Sequence, residues 1–96
     1  MKCNVESGVT DFEGKVIELG EKKEKYTYRM MIGTLLQTAD PQSPDSSDLK
    51  SKVFEIATKL YSQKEPDFTA EQIVIINEKA GRWASALEMG RLKEFL

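Results

Sequence analysis

Apolar positions follow two different periods along the chain. Over residues 1–20, β-branched and aromatic side chains partly alternate with polar ones, as Val9-Thr10-Asp11-Phe12 and Lys15-Val16-Ile17-Glu18-Leu19 on either side of Glu13-Gly14. A period of two marks a half-buried strand, and Gly14 supplies the positive φ of a tight turn. The pattern predicts a β-hairpin over 1–20. Two strands alone are marginal, so the hairpin must dock Ile17, Leu19 or Phe12 on the helices, or pair through its open edge. Gly20-Glu21-Lys22-Lys23-Glu24-Lys25 then reads as a solvated, mixed-charge connector.

Beyond residue 26 the period becomes helical. Tyr28, Met31, Ile32, Leu35 and Leu36 share one face of a first helix over 27–38. Gly33 inside it costs about 1 kcal/mol relative to Ala, which points to a close approach of another element there. Asp40-Pro41-Gln42-Ser43-Pro44-Asp45-Ser46-Ser47 stops any helix. Ser46 or Ser47 can cap a second helix, with Asp48 suited to its positive end. Leu49, Val53, Ile56, Ala57 and Leu60 form its inward stripe, with Phe54 and Tyr61 on the flanks, and Pro66 closes the segment.

The strongest local signal is Phe68-Thr69-Ala70-Glu71-Gln72-Ile73. Thr69 can cap, Gln72 can reach back to the Thr69 N–H, and Phe68 and Ile73 stand where a hydrophobic staple forms. Ile73, Ile76 and Ala80, widened by Val74 and Ile75, should make this third helix the most buried element, with Gly81 as its left-handed C-cap. Ser85 and Glu88 form a second capping box. It opens a short fourth helix whose apolar residues (Leu87, Met89, Leu92, Phe95, Leu96) spread widely enough to be covered on two sides. The sum is a mainly α, α+β fold: about four short helices with an N-terminal β-hairpin. One small domain over 1–96 is expected, divided into a hairpin at 1–20 and a helical part at 26–96.

Composition narrows the function classes. Fourteen Lys and Arg against sixteen Asp and Glu give a net charge of −2, a balance that argues against non-specific nucleic-acid binding. No run is apolar enough to span a bilayer, and Cys3, the single cysteine, can form no disulfide within the chain. A cytoplasmic protein is expected. The chain has no histidine, which removes the usual acid–base group and most zinc ligand sets. No phosphate loop or calcium loop is present. Glu71, Glu78, Glu88 and Glu94 sit at the spacings of exposed helix faces. Neither a catalytic residue nor a metal or cofactor site is expected, and the chain does not read as an enzyme.

Two surfaces remain. The third and fourth helices with Arg82, Arg91 and Lys93 have the order of a helix-turn-helix, but Glu88 and Glu94 on the second of them would meet phosphates. Arg82 and Trp83 together suit a protein-docking site, since both types are enriched at binding hot spots. Arg82, Trp83 and Arg91 are therefore the candidate partner-binding residues.

The run Tyr28-Arg29-Met30-Met31-Ile32-Gly33-Thr34-Leu35-Leu36, the Lys52…Ile56-Ala57…Leu60-Tyr61 helix, the Phe68-Thr69-Ala70-Glu71…Ile76-Asn77-Glu78-Lys79-Ala80-Gly81 block and the Gly90…Glu94-Phe95-Leu96 ending resemble a group of small uncharacterised bacteriophage and prophage proteins. The resemblance implies a phage origin, hence the host cytoplasm, and a role without catalysis. The expected function is binding of a phage or host protein as an assembly factor, adaptor or host modulator. The alternatives are a small helix-turn-helix-like DNA-binding regulator and a self-associating structural subunit.

Overall fold

A computed structural model of the chain describes residues 4–38 and 46–96; Cys3 and most of the proline-containing connector lie outside the described residues. The order is β1 (Glu18–Leu19), β2 (Glu24–Lys25), α1 (Tyr28–Gln37), α2 (Ser47–Ser62), α3 (Ala70–Trp83) and α4 (Ala86–Phe95). The architecture is four helices with a small antiparallel hairpin near the N-terminus, with Glu18 opposite Lys25 and Leu19 opposite Glu24.

Side-chain caps start all four helices. The Thr27 hydroxyl accepts from Met30 N–H, and Ser46 rather than Ser47 accepts from Leu49 N–H. Thr69 with Gln72 and Ser85 with Glu88 both form complete capping boxes. Each cap contributes about 1 kcal/mol by satisfying N–H groups that no helical carbonyl can reach.

The N-terminal pairing differs from the hairpin expected over 1–20. Its turn is present: Gly14 has φ 86°, the Asp11 carboxylate accepts from the Glu13 and Lys15 N–H groups, and Thr10 bridges to Val16. The regular strands, however, lie on either side of the second turn, which Gly20 (φ 68°) and Lys23 (φ 53°) make inside the expected connector. β1 falls within the expected strand Lys15–Leu19, whereas β2 lies in the charged run, where no apolar alternation marks it; all four strand residues are exposed. Val9 N–H donates to Tyr26 O at 2.7 Å, Tyr26 N–H to Ile17 O at 2.8 Å, and Ile17 N–H to Val9 O at 2.9 Å. Three segments thus close a ring in which each pairs with the other two, and at this level no edge is left for a foreign strand. Val5 and Val9 carry the ring into the core, while Phe12 and Leu19, two of the residues expected to dock there, are exposed.

The core joins Val5 and Val9 to Met31, Ile32, Leu35 and Leu36 of α1, Ile56 and Leu60 of α2, Phe68, Ile75, Ile76 and Ala80 around α3, and Leu92 of α4. The most deeply buried element is α1, not α3. It packs against both α2 and α3 and buries half of its ten residues, whereas α3 leaves Val74 exposed. Gly81 is not a cap either: α3 runs through it to Trp83, and Ala84 N–H closes the helix on Ala80 O at 2.9 Å. An extended Ala84-Ser85 link, fixed by the next capping box, turns the chain without a left-handed residue. α4 is held from two directions, by α3 and by the N-terminal half, where Phe95 stacks on Tyr28 at 4.0 Å.

Candidate functional site

The three candidate residues are placed differently. Trp83 is the last residue of α3 and is 38% exposed, with the Arg82 guanidinium carbon 5.8 Å from its ring centre. A cation over an indole face is attracted by the ring quadrupole, and here the pair stands at a helix end with Arg82 in solvent. Arg82 also rims a cleft of about 60 Å³ with Leu49, Ile75, Glu78 and Lys79, too small for an organic ligand.

Arg91 is committed inside the molecule. Its Nε donates to Thr10 O at 2.9 Å, its Nη2 to Asp11 O at 2.6 Å, and its Nη1 to the Glu94 carboxylate at 3.1 Å. The guanidinium fork holds the Asp11–Lys15 turn against α4. Arg91 therefore acts on that loop rather than on the Arg82–Trp83 pair.

Other cations follow the same rule. Arg29 donates to Leu60 O and Gln63 O, both at 3.0 Å, at the end of α2. Buried Lys79 donates to Thr38 O at 2.9 Å, the end of α1. Lys59 reaches Asp67 O at 2.8 Å and the Gln72 amide of the capping box at 3.0 Å. Positive charge at a helix C-terminus complements the macrodipole and its unpaired carbonyls. Composition alone could not separate these clamps from surface charge.

Titratable groups are likewise tied to the fold. The Asp11 carboxyl is held below its ordinary range by the Lys15 N–H first, and Lys52 is held up by its bonds to Glu71 and Asp48. Burial, and then the hydrogen bond to Glu88 at 3.0 Å, push the Tyr26 phenol well above its usual value. Each shift has a structural cause, and none brings a group near neutrality, where acid–base work is efficient. Among the described residues no group of three or more His, Cys, Asp or Glu could hold a metal, and no helix is long and apolar enough to cross a membrane.

The structure also exposes apolar side chains that the periodicity did not single out as a site. Phe12 is 81% exposed at the tip of the Arg91-held turn, and Phe54 is 73% exposed on α2. The signal for Phe54 was its place on the flank of the inward stripe of that helix. No protein-family model, curated protein or solved structure matches the chain.

Proposed function

We propose that this is a phage-encoded, non-enzymatic protein that acts by binding another protein, of phage or host, in the host cytoplasm. The single observation that carries the reading is the Arg82–Trp83 pair: a part-exposed indole under a guanidinium at a helix end. Such a pair offers a partner a large apolar face and a directional cation, at little ordering cost because α3 already fixes the backbone. The phage assignment rests on the sequence resemblance. The DNA-reader alternative draws less support, since Arg91 on its reading helix is spent on Thr10 and Asp11 and Glu88 on Tyr26.

The test is affinity capture from host lysate with the intact chain, Arg82→Glu and Trp83→Ala, each first checked for folding by circular dichroism. A specific partner captured by the parent chain and lost with Arg82→Glu supports the site. A partner retained by both folded variants overturns it, and salt-sensitive capture of duplex DNA would turn the reading to the alternative.

A further inference from the structure

α2 carries two stripes. Leu49, Val53, Ile56, Ala57 and Leu60 face the core. On the solvent side Ser47, Ser51, Phe54, Thr58 and Tyr61 recur at spacings of four, three, four and three, and all five are exposed, Tyr61 at the edge where its hydroxyl meets α1. That spacing is the 3.5-residue repeat of a two-helix seam. The stripe contains no charged residue, although its helix has five between Asp48 and Lys59. In seam terms Ser51 and Thr58 take one core position, and Ser47, Phe54 and Tyr61 the other. Their flanks carry Lys50 on one side and Glu55 on the other.

We infer that this face of α2 binds the same face of a second copy of the chain, as a parallel, two-fold symmetric pair. Charge decides both the occupant and the direction. In a parallel seam a residue on the first flank meets the residue five positions later on the partner's other flank, which brings Lys50 to Glu55 of the second copy, twice by symmetry. An antiparallel seam would instead set Glu55 against its own copy. Neither side chain has an ion pair or hydrogen bond among the described residues, whereas Asp48 and Lys52 pair with each other and Lys59 is engaged within the fold. Phe54 then stacks on Phe54, with the small Ser51 and Thr58 layers on either side, while Tyr61, whose hydroxyl lies against Gly33 of α1, borders the seam. α2 is about 24 Å long, so the seam falls below the roughly 1,200 Å² of a standard interface. The pair is a weak, reversible dimer. This inference uses a surface other than Arg82–Trp83 and stands or falls independently of that site.

Sedimentation equilibrium of the intact chain over about 10–500 µM tests it, a range set for an interface of this size class. A monomer–dimer equilibrium is expected. Phe54→Asp should weaken it at least tenfold with an unchanged far-UV spectrum. Lys50→Glu and Glu55→Lys should each weaken it several-fold, and the two together should restore it. For direction, Thr58→Cys in a Cys3→Ser background should oxidise to a covalent dimer. A monomer at the highest concentration overturns the inference, and so does a dimer indifferent to Phe54→Asp. Single charge swaps without rescue by the double swap overturn the parallel arrangement.

Discussion

Replacing Gly33 by alanine sets two effects of opposite sign against each other. Alanine in a helix interior is favoured by about 1 kcal/mol over glycine. Yet Gly33 is buried where the Tyr61 hydroxyl comes down on α1, and a Cβ there would overlap that oxygen. The ring is 53% exposed, so it can swing into solvent, at the cost of the contact it now makes. An aromatic side chain buries roughly 200 Å² when fully covered. The covered half of this ring is then about 100 Å², worth about 2.5 kcal/mol at 25 cal/mol per Å² as an upper bound. The net expectation for Gly33→Ala is a loss of about 0.5–1.5 kcal/mol. In a Tyr61→Ala background the obstacle is gone, and the same substitution should stabilise by up to about 1 kcal/mol. Urea denaturation of the four members of the cycle reads this as a coupling of about 2 kcal/mol, with m unchanged. Gly33→Ala stabilising equally in both backgrounds would refute the close approach as the reason for glycine.

Arg91→Met removes both bonds to the Thr10 and Asp11 carbonyls and should cost about 2 kcal/mol, with amide exchange accelerated over residues 12–15. Thr69→Ala and Ser85→Ala should each lose about 1 kcal/mol by thermal denaturation, additively because they open different helices. Asp11 has a depressed folded pKa, so its contribution is present above its ordinary value of 3.8 and lost as pH falls through the lowered one. Stability of Asp11→Asn should accordingly fall less steeply between about pH 5 and 2. The Tyr26 phenol, raised by burial and by Glu88, contributes stability that is complete below its unfolded value of 10.0 and lost as pH rises beyond it. Tyr26→Phe should flatten the alkaline limb of a stability–pH curve.

The helical part of this fold was legible because its start signals are local. Ser46, Thr69 and Ser85 each satisfy N–H groups within three residues, so sequence spacing contains the whole interaction. Gly33 was readable as a close approach for the same reason: its cost within a helix demands a compensating neighbour. β1 falls inside the expected strand Lys15–Leu19, but its partner β2 was missed because it is held by backbone bonds that leave no side-chain pattern, and because Gly20 and Lys23 turn inside a run of charges. Gly81 misled because a helix stop is set by where the chain must go next. Here the Ser85 capping box sets that direction two residues beyond Trp83. In the candidate site, Arg82 and Trp83 are adjacent in sequence and needed only one helix end to become a pair. Arg91 reaches a loop some eighty positions away, a distance over which no spacing rule operates.

That long-range use of cations bears on how the protein can meet a partner. Arg29, Lys59, Lys79 and Arg91 come from four different helices, yet each donates to a backbone carbonyl of another segment. Such bonds tie helix ends and loops together more strongly than exposed ion pairs would, because a charge-assisted bond to a fixed carbonyl loses less to side-chain entropy and screening. The fold therefore consumes positive charge that composition would assign to the surface, and it leaves large apolar side chains, Phe12, Phe54 and Trp83, standing out on three separate elements. On the proposed reading, recognition built on these residues is led by apolar burial and takes direction from a neighbouring charge, Arg82 beside Trp83 and Lys50 with Glu55 beside Phe54. Its affinity should then change little between low and physiological salt, in contrast to the steep salt dependence of a phosphate-binding surface.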